Sequence, residues 1–169
     1  MTNIVVLIKQ VPDTWSERKL RDDDFTLDRD AADPVLDEIN ERAVEEALLT
    51  KEKEGDDSTV TVLTAGPERA TEAIRKALSM GADKAIHVQD DAIAGSDAVG
   101  TAKVLAKALG SVEWDLAIAG SEATDARGAV VPAMLAELLG VAQLTQARKV
   151  TVDGSTVTIE RVTDTGYEK

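Results

Sequence analysis

Cysteine is absent from this chain of 169 residues. Disulfides, thiolate nucleophiles, iron–sulfur clusters and cysteine-based zinc sites are thereby excluded. A single histidine, His87, removes a histidine-rich metal centre as well. Aromatic residues are nearly missing: Trp15, Phe25, Trp114 and Tyr167 make up the full set. The core must therefore come from small aliphatic side chains, which suits a parallel sheet under closely packed helices. No stretch reaches the ~20 apolar residues of a membrane-crossing helix. The N-terminus enters an apolar strand and meets Lys9, without the basic start, long apolar run and cleavage site of a signal peptide. The cytoplasm is the expected compartment. Positive charge is scarce too, with 19 Lys and Arg against 32 Asp and Glu and a net charge of −13. Nucleic acid and anionic membrane surfaces would be repelled; the same charge serves solubility.

What the chain does have is 43% apolar residues, enough for one domain with a good core. Residues 3–10 form an apolar, β-branched run that reads as a buried strand. Residues 11–37 are polar and hold Pro12, Pro34 and the acidic run Asp22-Asp23-Asp24. A connection longer than about 15 residues is usually functional or disordered. Phe25, Thr26 and Leu27 are the candidates for a short edge strand within it. A helix is predicted over 38–54, with Ile39, Ala43, Ala47 and Leu48 at helical spacing and Gly55-Asp56-Asp57 as its stop. Residues 59–64 give a second strand. Pro67 then opens a helix with a buried stripe of Ala70, Ala73, Ile74, Ala77 and Leu78, stopped by Gly81.

A third strand is expected over 84–88, and a helix capped by Ser96 or Asp97 runs to Leu109. A fourth strand covers 114–119. Gly120 to Arg127 forms a loop, and Val131, Met134, Leu135, Leu138 and Leu139 mark another helical stripe ended by Gly140. Residues 149–152 and 156–162 flank Asp153-Gly154, a hairpin signal. After the hairpin the chain stops at Tyr167-Glu168-Lys169 with no closing element expected. The alternation of strand and helix implies an α/β fold, a doubly wound and mostly parallel sheet with helices on both faces. A C-terminal β-hairpin at about 147–162 departs from that pattern.

In such sheets ligands collect beyond the carboxyl ends of the strands, where the strand order switches. Three segments should meet there: Ile8-Lys9-Gln10, Ala65-Gly66-Pro67 and residues 120–131. The last leaves a strand and opens a helix through Gly120-Ser121-Glu122-Ala123-Thr124-Asp125-Ala126-Arg127-Gly128. A helix N-terminus presents unpaired N–H groups to a phosphate, and Arg127 can add a charge-assisted contact. The alternative is an ordinary strand-to-helix loop with two glycines. Likewise, Ala65-Gly66 is either a shelf for a flat adenine or a tight turn. No G-x-x-x-x-G-K-[ST] and no clean G-x-G-x-x-G occurs. Catalytic groups are wanting: His87 reads as a packed or edge histidine, and Asp22 to Asp24 lack the spacing of a calcium loop. Glu45, Glu46, Glu52 and Glu54 read as an exposed charged face.

Val6-Leu7-Ile8-Lys9-Gln10-Val11-Pro12-Asp13 resembles the opening of electron-transfer flavoprotein beta subunits. So do Ala43-Val44-Glu45-Glu46-Ala47-Leu48, the segment from Ala65-Gly66-Pro67 through Ile74-Arg75-Lys76-Ala77-Leu78-Ser79-Met80-Gly81-Ala82-Asp83, and the stretch from Gly120 to Gly140. The resemblance implies a Rossmann-like, adenine-nucleotide-binding fold in a heterodimer with an alpha subunit. FAD would be held mainly by alpha, with this chain supplying one wall, and the chain itself would bury a structural AMP. Some relatives hold a second FAD there. The flavin would take electrons from acyl-CoA and other dehydrogenases and pass them to a quinone oxidoreductase. The chain would be an electron-transfer protein without catalytic residues of its own. Carried over by position, Ile8, Lys9, Ala65 and Gly66 would surround adenine and ribose, and residues from Asp125 through Ala126, Arg127, Gly128, Ala129 and Val130 to Val131 would hold the phosphate by backbone N–H groups. Thr14 and Ile39, with Trp15 nearby, would approach the flavin.

Two departures from the family pattern stand out. Ala129-Val130-Val131 replaces side chains that can bind phosphate, leaving backbone and Arg127. Asp37-Glu38-Ile39 replaces the family's asparagine-proline-phenylalanine. Family members also continue further, through a loop that docks on dehydrogenases and a tail that wraps alpha. The sequence therefore reads as a fragment that, alone, is at most a nucleotide binder. Two other classes compete. A stand-alone nucleotide-binding module of the universal-stress type would need a G-x2-G-x9-G-[ST] loop, which is absent. A bond-making enzyme would need a base, metal cluster or signature loop at the strand ends.

Overall fold

A computed structural model describes residues 2–55 and 57–169. Asp56 of the expected helix stop lies outside the described residues. The central sheet has four parallel strands, β1 (Asn3–Leu7), β4 (Thr59–Ala65), β5 (Lys84–Val88) and β6 (Leu116–Ala119), in the spatial order β5-β4-β1-β6. A small antiparallel ribbon of β2 (Gln10–Pro12) and β3 (Pro34–Leu36) lies between β1 and the first helix in sequence. The helices are α1 (Glu38–Glu54), α2 (Thr71–Met80), α3 (Ala98–Leu109) and α4 (Val131–Leu139).

Alternation along β1 decides the layering. Side chains of successive strand residues point to opposite faces. Ile4 and Val6 enter a core with Val60, Val62 and the small residues Ala43, Ala47, Ala73 and Ala77 of α1 and α2. Val5 faces the other way, into a core with Leu63, Leu105 and Leu109 of α3 and Leu135 of α4. Alanine on the sheet-facing side lets α1 and α2 sit close, which is how a chain so poor in aromatics fills its interior. The chain winds outward from β1 through β4 to β5, then α3 carries it back so that β6 pairs with the far side of β1. The strand order therefore reverses between β1 and β6.

The expected doubly wound architecture is present, with local differences. The first strand stops at Leu7, because Gln10 leaves the sheet to pair with Leu36 in the ribbon. Phe25 is 74% exposed with φ 57°, and of the expected edge strand only Leu27 forms a single bridge, to Leu20. Pro67 precedes a 3-10 turn, Glu68–Ala70, and α2 starts after it. Leu78 and Leu138 belong to the helical stripes by spacing yet are exposed, since each helix is covered on one side only.

The hairpin comprises β7 (Ala147–Asp153) and β8 (Thr156–Thr163), with Asp153 paired to Thr156. Its turn is thus Gly154-Ser155, one residue beyond the expected pair, with Gly154 at φ 56°. Glycine first and an ordinary residue second suits a type II′ connection. A third antiparallel strand, β9 (Gly166–Glu168), completes this smaller sheet where no further element was expected. Arg148 stacks over the Tyr167 ring across it, 3.9 Å from the centroid. Among the described residues no helix is long and apolar enough to cross a membrane.

Candidate functional site

A cleft of about 350 Å³ opens at the carboxyl ends of β1, β4 and β6, at the point where the strand order reverses. Ile8 and Lys9 reach it from the end of β1, Ala65 from β4 and Gly120 from β6. The turn before α4 brings Asp125, Ala126, Arg127, Gly128, Ala129, Val130 and Val131 to the same space. Gly66 lies just outside: its N–H donates to Val88 O at 3.0 Å and its carbonyl accepts from His87 Nε2 at 3.0 Å. His87 is therefore a tie between the edge of the sheet and the turn after β4. Thr14 is exposed on the long loop and does not line the cleft. Ile39 is half-buried behind Gly120 rather than in the cleft.

Gly120 is required by packing. A Cβ there would lie 2.7 Å from Asn40 Nδ2 and 2.9 Å from Ile39 Cγ2. The absent side chain lets the first turn of α1 press against the end of β6. Gly128, in the same loop, faces open space.

Asp37 holds this junction together. Its side chain caps α1 by accepting from the backbone N–H groups of Ile39 and Asn40 at 2.9 and 3.3 Å. Its second oxygen accepts from Thr124 N and Thr124 Oγ1, each at 2.7 Å. Asp37 and Thr124 are both buried, so each of these bonds replaces lost hydration. The substitution that departed from the family pattern at Asp37 is thus satisfied by a partner 87 residues away. Spacing alone could not have found that pair.

The neighbouring Asp125 side chain is fully covered and pairs with Lys9 Nζ at 2.8 Å and with an Arg29 guanidinium nitrogen at 2.7 Å. Burial pushes its pKa up, but hydrogen bonds and charge from Lys9 and Arg29 outweigh that, and the carboxyl titrates below its usual 3.8. Arg127, expected to face a phosphate, instead pairs with Glu122 at 2.8 Å, and its side chain is 66% exposed. Of the cations that line the cleft, Arg127 is matched by Glu122, whereas Lys9 shares the single Asp125 carboxylate with Arg29.

The backbone supplies what those side chains do not. Arg127 and Ala129 both take left-handed conformations, φ 51° and 55°. For residues with a Cβ this costs about 1–2 kcal/mol each. Val130 precedes α4 without any side-chain cap, and Pro132 lies in the first turn. Among the described residues, no acceptor meets the amides of Gly128, Ala129, Val130 or Val131. Alternating left-handed residues ahead of a helix N-terminus form a concavity of N–H groups suited to an anion. Asn40 was not foreseen as a lining residue. It is 5% exposed, lines the cleft and has no hydrogen bond from its side chain among the described residues.

Residues 24–169 match the electron transfer flavoprotein domain. The chain belongs to the electron transfer flavoprotein family. Several relatives carry the name electron transfer flavoprotein subunit beta. The electron transfer flavoprotein subunit beta of Mycobacterium tuberculosis is 68% identical over 98% of this chain and 64% of that protein. The subunit beta of Clostridium acetobutylicum is 39% identical over 98% of the chain and 63% of that protein. The caffeyl-CoA reductase-Etf complex subunit CarD of Acetobacterium woodii is 34% identical over similar shares, 98% and 63%. The chain thus spans just under two thirds of the length of the curated relatives it matches. The resemblance drawn from the sequence motifs and the family match agree.

Proposed function

We propose that this chain is the nucleotide-holding part of the beta subunit of a heterodimeric, FAD-containing electron carrier, and that its cleft keeps an AMP in a structural role. The observation that carries the proposal is the set of uncommitted amides from Gly128 to Val131 at the strand-order switch. They suit one phosphate group. Asp97 and Glu122, which also line the cleft, disfavour a longer and more highly charged phosphate chain. The shelf between Ile8 and Ala65 is small and apolar, as a flat base requires.

In the heterodimer an alpha subunit binds most of the FAD. The flavin, when bound, supplies the electron-accepting chemistry. Thr14 and the 95% exposed Trp15 stand on the outer side of the long loop, where this chain can contribute a wall. The whole carrier takes electrons from dehydrogenases, among them acyl-CoA dehydrogenases, and passes them to a quinone oxidoreductase. Among the described residues no group of three His, Cys, Asp or Glu side chains is placed to hold a metal ion. The chain's work is to bind and to position.

The test is mass spectrometry of small molecules released when the full-length protein, purified with its copurifying subunit, is denatured. One AMP per complex is the expected result. A second FAD in its place assigns the cleft to a dinucleotide, and the absence of any adenine compound removes the proposal.

A further inference from the structure

Residues 13–33 form a strap against the turn that borders the cleft. It is closed at its base by the β2–β3 ribbon and by Asp13 N donating to Asp33 O at 2.8 Å. Two arginines on the strap reach the turn that shapes the cleft. Arg18 donates to Thr124 O at 2.7 Å, and Arg29 donates to the covered Asp125 carboxylate at 2.7 Å. On its other side the strap is held by Arg69, which donates to Arg29 O at 3.2 Å and pairs with Asp30. Arg69 is in turn located by Gln10, whose side-chain N–H donates to the Arg69 carbonyl at 2.8 Å.

The turn needs such ties. It carries two strained left-handed residues, Arg127 and Ala129, and its amides from Gly128 to Val131 lack protein acceptors. Left alone, a turn of this kind would relax. Asp125 sits two residues before the first strained position and is the residue through which Lys9 and Arg29 act on it. Asp125 is itself too far committed to offer anything to a ligand.

We propose that Arg29 is a positioning residue of the cleft: acting through Asp125, it holds the 125–130 turn in the shape that receives a phosphate. Because coupling is reciprocal, a phosphate on the turn orders the strap that carries Arg18 and Arg29. This rests on the nucleotide reading of the cleft and adds to it a link between occupancy and the strap. The link belongs to the phosphate, since among the described residues neither Ile8 nor Ala65 is hydrogen-bonded to residues 13–33, and the Lys9 tie runs to the same Asp125 that Arg29 holds.

The test uses the full-length protein and two probes, AMP and adenosine, titrated by calorimetry against the natural protein, Arg29→Met and Arg29→Lys. Loss of one charge-assisted tie should weaken AMP by about tenfold in Arg29→Met. Adenosine binding should stay within about twofold, and Arg29→Lys should recover most of the AMP affinity. Hydrogen exchange on the natural protein, which needs no variant, should show residues 14–32 protected by AMP and not by adenosine. AMP affinity unchanged in Arg29→Met, equal weakening of both probes, or a strap indifferent to AMP overturns the proposal. If the natural protein binds neither probe, the nucleotide reading fails first and the coupling with it.

Discussion

Gly120 and Gly128 occupy one loop and look alike in sequence, but alanine should be costly at the first and nearly neutral at the second. At Gly120 a Cβ would meet Ile39 Cγ2 at 2.9 Å and Asn40 Nδ2 at 2.7 Å. An ordinary carbon–carbon contact is about 3.5–4.0 Å, so the neighbours must retreat by roughly 0.6–1 Å. They cannot retreat freely. Ile39 and Asn40 are in the first turn of α1, and Asp37 ties that turn to Thr124. Overpacking of this kind costs about 1–3 kcal/mol, which for a chain of this size lowers the melting temperature by roughly 2–12 °C. Gly128→Ala meets nothing within 4 Å and its φ is not left-handed, so its stability should change by less than about 0.5 kcal/mol. Urea unfolding with thermal melts measures both. A double variant isolates the cause: removing the Ile39 methyl in Gly120→Ala/Ile39→Ala should recover part of the loss, with a coupling of about 0.5–3 kcal/mol. Equal stabilities for the two alanine variants, or strictly additive Gly120 and Ile39 effects, would refute the reasoning.

Asp37→Ala removes a helix cap and leaves the buried Thr124 N–H and hydroxyl without their acceptor; together these should cost about 2–5 kcal/mol in urea unfolding. Asp125 titrates below 3.8, so its contribution to stability is complete above that pH and is lost as pH falls through the lower folded-state value. Asp125→Asn should therefore be less stable at neutral pH, and its stability should fall less steeply than that of the natural protein below pH 3.8, by denaturant unfolding in a pH series. Leu135→Ala should cost about 2–5 kcal/mol, while Leu138→Ala, at an exposed position of the same helix, should cost under about 0.5 kcal/mol by the same assay.

The secondary structure was largely legible because its signals are local. The α1 boundaries follow from Ile39, Ala43 and Ala47 at helical spacing with Gly55 behind them, and the β5 boundaries from a short apolar run after Gly81. The errors are places where local and non-local demands differ. Leu78 and Leu138 have the right spacing for a buried stripe, but whether a stripe's edge is covered depends on which neighbour lies there. Gln10 has strand character, and its pairing with Leu36 required a chain reversal across the whole strap. The hairpin was visible in its glycine, yet its register moved by one residue because the flanking Asp153–Thr156 pair formed. Of the three segments expected at one sheet end, the parallel order of β1, β4 and β6 brings Ile8, Lys9, Ala65 and the 120–131 segment to one cleft, while Gln10 and Gly66 lie outside it.

By itself the sequence determined the class of fold and which segments end at one rim of the sheet, because alternating strands and helices with small apolar residues leave few ways to bury the core. Its motifs also pointed to the electron transfer flavoprotein family. Tertiary structure alone decided which polar side chains serve that rim. Lys9 and Arg127 are cations in sequence, but in space Glu122 pairs with Arg127, and Lys9 shares Asp125 with Arg29. Asp37 with Thr124, and Arg29 with Asp125, are partners 87 and 96 residues apart. No periodicity encodes such pairs. They exist because the crossover from β5 to β6 returns the chain to β1, and only then do these groups lose water and need one another.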